Sequence, residues 1–348
     1  MPRFAAMLAE GMKSRGHAVS ICSPRPYFFR LPFPAAFKKW LGYIDQYFLF
    51  PMYLRQQVKR RPDTLFVFTD HALGPWIPLV KNRNHIIHCH DFLAQYSALG
   101  KIKETSLSFT GTLYQAYIRR GFLKGKNFIS VSQKTQRDLH HFFRYRHPVV
   151  SKVVYNGLNQ KFTCCPSDRA RAVVAKRTRL ALEDGYILHV GGNSWYKNRM
   201  GVIEIYNAFR QQNPSSLPLL LIGERPSAGI VQAFEASPYQ SDIHFLPGIE
   251  DQYLGFAYAG ASVLLFPSLA EGFGWPIAEA MACGCPVITT NETPMTEVAG
   301  KAGFLIEKRP ADASLVAEWA MQSARVVKSV IELSPIERAD VIQSGLEN

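Results

Sequence analysis

Acidic residues are scarce in the first half of this 348-residue chain: residues 1–165 hold 7 Asp and Glu against 25 Lys and Arg, a net +18. The remainder holds 20 against 15, a net −5. Such an imbalance points the first half toward something anionic, whether nucleic acid, an acidic membrane surface or a phosphorylated substrate. Cysteine is sparse as well. The six (Cys22, Cys89, Cys164, Cys165, Cys283, Cys285) include no C-x-x-C pair and no Cys/His set at zinc spacing, so they read as reduced packing residues. No run reaches the roughly 18 unbroken apolar residues of a membrane-spanning helix, because Lys38, Lys39, Asp45 and Arg55 cut the aromatic stretch near residue 40. Glu10 and Lys13 precede any apolar region of signal-peptide length, so a cytoplasmic address is expected.

What is present is enough for two cores of ordinary size, with 47% hydrophobic and 19% charged residues. Between residues 25 and 61, Arg25, Arg30, Lys38, Lys39, Arg55, Lys59, Arg60 and Arg61 interleave with Tyr27, Phe28, Phe29, Phe33, Phe37, Trp40, Tyr43, Tyr47, Phe48, Phe50 and Tyr53. Exposed, this mixture suits an interfacial helix on anionic lipid; buried, the same rings would be core. No helix-turn-helix, ribonucleoprotein motif or zinc finger accompanies it, so nucleic acid is not expected as a partner.

Apolar positions at Phe4, Met7, Leu8 and Met12 predict a first helix over residues 2–15. Short apolar runs then predict strands at 18–22, 64–68, 86–90, 128–131 and 152–155. The pattern restarts with 186–190, 218–223, 243–246, 262–266 and 286–289. Runs of this kind, alternating with helical segments, predict parallel sheets covered on both faces. The expected organisation is a basic domain over 1–165, a linker over 166–184, and a second α/β domain over 185–348.

Chemistry concentrates in Phe266-Pro267-Ser268-Leu269-Ala270-Glu271-Gly272-Phe273-Gly274-Trp275-Pro276-Ile277-Ala278-Glu279. Two carboxylates, Glu271 and Glu279, bracket a Gly-Phe-Gly turn. Pro276 marks a helix start and Gly284 its end, so the helix presents free N–H groups and a positive dipole to an anion such as a diphosphate. The bland alternative is a strand-turn-helix whose acids are merely solvated.

This segment resembles the E-x7-E signature of the family 4 retaining glycosyltransferases of the GT-B fold. Its flanks match too, in Phe266-Pro267-Ser268 and in Ala280-Met281-Ala282-Cys283-Gly284-Cys285-Pro286. Gly191-Gly192 with Lys197-Asn198 resembles the family's phosphate-binding loop, and His90-Asp91 a histidine at a strand end of its amino-terminal domain. The resemblance implies two Rossmann-like domains with parallel sheets facing a central cleft, and transfer of a sugar from a nucleotide-sugar donor to a saccharide or lipid-linked saccharide acceptor. The setting implied is surface polysaccharide or glycolipid synthesis, at the cytoplasmic face of a membrane whose anionic surface the basic half would meet.

By the same resemblance, Lys197 would neutralise the donor diphosphate, with Gly191 and Gly192 beside it. Glu279 would hold the ribose. Glu271, Gly272, Phe273 and Gly274 would hold the sugar, and His90 would contact it. The sequence has no Asp-x-Asp, so neither metal nor other cofactor is expected. Three features depart from the family pattern. The chain opens inside the first helix, which implies that the amino-terminal sheet lacks its first strand. It stops before a last crossing helix, and it has Asn193 where an arginine is common. The alternative these departures support is a non-catalytic or weakened sugar-nucleotide- or membrane-binding relative.

Overall fold

The computed structural model describes residues 2–143, 147–158, 162–213 and 217–348, with side chains from residue 4 onward. The chain divides into two compact units, Met1–Asn159 and Gln160–Asn348.

The first unit opens with the helix Pro2–Lys13. Its sheet has four parallel strands in sequential order: β1 (Phe66–Phe68), β2 (His85–Cys89), β3 (Asn127–Ser130) and β4 (Val150–Val153). Ile87, Phe92, Phe122, Phe128 and Leu139 form its buried core. Residues 18–22, expected as a buried strand, are instead mostly exposed coil. A strand persists only where a neighbour accepts its backbone hydrogen bonds, and β1 pairs with β2 alone. β4 lies two residues earlier than its apolar run suggested, because Asn127 is registered on Val150; Val154 and Tyr155 emerge exposed.

Of the two readings left open for the aromatic-basic segment 25–61, the structure favours exposure: Phe33, Phe37, Trp40 and Phe48 are each more than half exposed. The segments Ala35–Ile44, Asp45–Leu49 (one stretch of π-helix) and Phe50–Arg60 follow one another without a break. Asp45 is buried and its two carboxylate oxygens accept the backbone N–H groups of Phe28 and Phe29, each at 3.0 Å.

The second unit holds six parallel strands: β5 (Ile187–Gly191), β6 (Leu219–Gly223), β7 (Ile243–Pro247), β8 (Val263–Phe266), β9 (Val287–Thr290) and β10 (Gly303–Ile306). Their order is β10-β9-β8-β5-β6-β7. β8 and β9 are buried at every position, as strands between two helical layers should be. Ile187, Ile205, Leu219, Leu265 and Trp319 meet in the core beneath the helices Arg199–Gln212 and Ala313–Ile331. Residues 166–184 carry the helix Ser167–Thr178, whose Ala170 and Val174 are buried against the helix Asp251–Gly260.

The helix Pro335–Glu347 starts with a capping box between Ser334 and Glu337. It ends with Asn348 donating to the Val298 carbonyl at 2.7 Å. All six cysteines are free. Cys89, Cys283 and Cys285 are buried as expected of packing residues, whereas Cys22 and Cys164 are exposed. Among the described residues no helix is long and apolar enough to cross a membrane.

Candidate functional site

Strand order reverses between β5 and β8: the chain after β5 continues to β6 on one side, and the chain after β8 to β9 on the other. In open parallel sheets, such a switch point leaves a crevice outside the carboxyl ends of the strands, where ligands bind. The residues singled out in the second half of the sequence follow β5 and β8.

Gly191 ends β5, and the turn Trp195–Lys197 leads to the helix Arg199–Gln212. Asn198 adopts a left-handed conformation, φ 52°, and its Oδ1 accepts the N–H of Gly201 at 3.2 Å. Its Nδ2 donates to the Pro267 carbonyl beyond β8 at 2.9 Å, and the Leu269 N–H donates to the Tyr196 carbonyl at 2.7 Å. The two loops are therefore stitched together by backbone and amide bonds.

Lys197 and Glu271, 74 positions apart in sequence, meet here: Nζ donates to Oε1 at 2.7 Å. The Ser268 hydroxyl lies 2.7 Å from both that carboxylate oxygen and the Tyr196 carbonyl, with one proton to give to either. Glu271 is 7% exposed, and the Lys197 ammonium stands 5.1 Å from the Phe266 ring centroid. A cation held by one carboxylate and an aromatic face can exchange that partner for a stronger anion.

The glycines keep the end of β5 thin. Gly223 has φ 147°, and a Cβ there would stand 2.1 Å from the Gly191 carbonyl oxygen, so only glycine fits. A Cβ on Gly191 would lie 3.0 Å from His189 Nε2, and one on Gly192 would lie 3.0 Å from the Glu224 carboxylate. His189 donates from Nδ1 to the Leu265 carbonyl at 2.9 Å; its buried Nε2 has no hydrogen-bond partner among the described residues. Burial pushes the imidazole down to about 3, which keeps it neutral beside Lys197.

Glu279 lies in the helix Trp275–Ala282, which starts from Gly274 at φ 107° with Pro276 in its first turn. The Tyr258 hydroxyl donates to Glu279 Oε2 at 2.8 Å. Tyr258 is fully buried, and burial holds its phenol well above the ordinary range, so it remains a donor. Gly272, Phe273 and Gly274 make the turn between Glu271 and this helix, with the Phe273 ring buried. Burial raises the thiols of Cys283 and Cys285 to about 12, as expected of packing residues.

Sequence reasoning passes over Arg199 and Glu224. The Asn193 N–H donates to Glu224 Oε2 at 3.0 Å. Arg199 is 2% exposed; its Nη1 donates to Asn193 Oδ1 at 2.7 Å and to the Glu224 carbonyl at 3.0 Å. Asn193, standing where an arginine is common, is gripped by a buried guanidinium six residues later. The signal was present in Lys197-Asn198-Arg199, but nothing local says which cation faces which way.

His90 belongs to the first unit, just after β2. The Thr69 carbonyl can only accept, so His90 Nε2 donates to it at 2.9 Å and Nδ1 keeps the lone pair. The ring stands edge-on to Phe4 at 4.6 Å, and burial lowers its pKa, favouring neutral imidazole. Among the described residues no group of three or more His, Cys, Asp or Glu is placed to hold a metal ion.

Two parallel-sheet α/β units, the second with cationic and acidic groups at its switch point, define a GT-B protein, and comparison with solved structures agrees. WaaG, a glycosyltransferase involved in lipopolysaccharide biosynthesis, aligns over 99% of this chain and 90% of its own, with a TM-score of 0.70 at 17% identity. Anabaena Alr3699/HepE, solved with UDP and glucose, aligns over 97% of this chain and 83% of its own, with a TM-score of 0.66 at 17% identity. Two family models match in succession: Glycosyltransferase Family 4 over residues 1–162 and Glycosyl transferases group 1 over residues 184–321. The chain belongs to the family 4 glycosyltransferases.

The O-antigen chain mannosyltransferase B of Escherichia coli is 31% identical over 191 residues, which is 54% of this chain and 49% of that protein. A D-inositol 3-phosphate glycosyltransferase of Salinispora arenicola is 30% identical over 153 residues, 40% of this chain and 34% of that protein. The chain thus spans about half or less of the length of these curated relatives.

Proposed function

We propose that this protein transfers a sugar from a nucleotide-sugar donor to a hydroxyl of a saccharide or lipid-linked saccharide acceptor, with retention of anomeric configuration. The work would serve surface polysaccharide or glycolipid synthesis at the cytoplasmic face of an anionic membrane. Mannose is the sugar we favour, because the Escherichia coli relative is a mannosyltransferase. The observation that carries the reading is the Lys197–Glu271 pair at the β5/β8 switch point, beside the amino end of the helix Trp275–Ala282.

Departure of a nucleoside diphosphate builds negative charge on the oxygen that leaves the sugar. In this reading, the diphosphate takes Lys197 from Glu271, and the ammonium and the helix end stabilise the growing charge. The released Glu271 carboxylate, with the Gly272–Gly274 turn, accepts from the sugar hydroxyls. Glu279, oriented by Tyr258, accepts from the ribose. The acceptor proton passes to the departing phosphate oxygen, and neither metal nor other cofactor is invoked.

The test is donor breakdown by purified protein across a panel of nucleotide-sugars. Slow release of nucleoside diphosphate from one mannosyl donor, cut about 10²–10³-fold in Lys197→Ala, is expected. Tight binding with no release from any donor or acceptor would leave a sugar-nucleotide-binding protein instead. An acceptor product of inverted configuration would refute retention.

A further inference from the structure

Resting on the membrane partner proposed above, we infer that the helical segment Ala35–Arg60, with the turn Phe28–Arg30 beside it, lies in the plane of an anionic lipid surface and inserts a stripe of aromatic and aliphatic side chains.

The helix Ala35–Ile44 has no buried residue at all. It is held by its unbroken continuation into Phe50–Arg60 and by the Phe28–Arg30 turn, while its outer face is left uncovered by the described residues. Phe37, Trp40, Ile44, Phe48 and Met52 recur at three- and four-residue spacing, and all are exposed, Trp40 by 65% and Phe48 by 64%. The π-helical stretch Asp45–Leu49 takes up a residue of register and keeps Phe48 and Met52 in line with the first three. Inward-facing Phe50 and Leu54 anchor the second half of the segment to the unit's core. Phe29, Leu31 and Phe33 extend the apolar surface beside the stripe.

Charge selects the occupant. Between residues 11 and 61 the sole carboxylate is Asp45, and it is turned inward onto the N–H groups of Phe28 and Phe29. The outer surface is left with rings, aliphatics and cations such as Lys39, Arg55, Lys59 and Arg60. Bases of a nucleic acid would stack on rings but gain nothing from Leu31, Ile44 and Met52, whereas acyl chains bury all of them. Lys38 folds onto the Phe29 and Leu31 carbonyls at 2.9 and 3.0 Å, satisfying backbone groups that lipid would otherwise desolvate. Cations bordering an exposed stripe of Trp40, phenylalanine and aliphatic side chains form the pattern of an interfacial helix on anionic headgroups.

The experiment is sedimentation of the full chain with phosphatidylglycerol-containing vesicles and with neutral phosphatidylcholine vesicles, at low and at high salt. Binding to the anionic vesicles is expected. It should fall at least about tenfold in Phe37→Ser/Trp40→Ser/Phe48→Ser and more gently in Lys39→Gln/Arg55→Gln. Brominated lipid should quench tryptophan fluorescence in the parent and much less in Trp40→Phe. The serine variant should keep its donor hydrolysis, which separates this inference from the transfer reading. Anionic-vesicle binding untouched by the serine variant would overturn the stripe and leave the membrane partner standing. No vesicle binding by the parent would overturn both, as would a parent dimer, indifferent to vesicles, that the serine variant converts to monomer.

Discussion

Replacing Glu271 by Gln removes the counter-charge of Lys197 and hardly changes volume. The two side chains are 18% and 10% exposed, so the pair is largely but not wholly out of water. Losing one partner of a fully buried pair costs roughly 3–5 kcal/mol, and of an exposed pair about 0–1, which puts this position at about 2 kcal/mol. In a unit of this size a loss of that order lowers the melting midpoint by about 4–8 °C. Binding should change in the opposite sense. In the native chain a diphosphate has to displace Glu271 from Lys197, whereas in the variant no carboxylate competes. Nucleoside diphosphate should therefore bind the variant about tenfold more tightly, equivalent to about 1.4 kcal/mol, and restore much of its lost midpoint. Intact nucleotide-sugar should gain less, because its hydroxyls lose their ionised acceptor, and turnover should fall at least about tenfold. Calorimetric titration and thermal melts with and without nucleoside diphosphate read these terms separately. Affinity for nucleoside diphosphate that stays level or falls in Glu271→Gln refutes the exchange of partners.

Tyr258→Phe takes the hydroxyl from Glu279 Oε2 and should raise the donor KM several-fold while leaving kcat nearly intact; steady-state kinetics decide, and an unchanged KM removes Glu279 from the donor site. Gly223→Ala forces a Cβ into the Gly191 carbonyl at φ 147°, so urea unfolding should show a loss of at least about 1–3 kcal/mol, and a neutral result would mean the strand ends can part. His88 and His189 are pushed by burial to about 4 and about 3, while the unfolded chain titrates near 6.5. Between those values only the unfolded chain takes up the protons, so stability is full above about pH 6.5 and falls below it, by up to about 1.4 kcal/mol per pH unit for each histidine. Urea midpoints measured from pH 7 to pH 4.5 that stay flat would contradict the burial of both rings.

The second unit is readable in the sequence because its strands are uninterrupted apolar runs between glycines and prolines, and β5, β6, β8 and β9 fall within a residue or two of expectation. β10 escapes because Gly303-Phe304-Leu305-Ile306 follows Gly300-Lys301-Ala302 and looks like the tail of a loop. Residues 18–22 mislead for the converse reason: Ala-Val-Ser-Ile-Cys has the composition of a strand, but only a hydrogen-bonding neighbour makes one. β4 slips because 149–155 contains two overlapping apolar windows, and Asn127 chooses between them across the sheet. At the site, Glu271, Glu279 and Lys197 are marked by the turn residues around them. Tyr258, Arg199 and Glu224 are invisible, and Ser268 is marked only as part of a flank, because their partners are set by the packing of separate elements. Nor can hydrophobicity say which way a ring faces, and so Trp40 and Phe48 read equally well as core.

The amide of Asn198 bridges to Pro267, and Leu269 leans back on Tyr196. A visiting molecule therefore meets finished masonry: little freedom remains to be frozen at that corner when it arrives. The tip of β6 is cemented to the same corner, where Asn193 and Arg199 hold Glu224, so the charged cornerstone and its neighbours can be rebuilt only together.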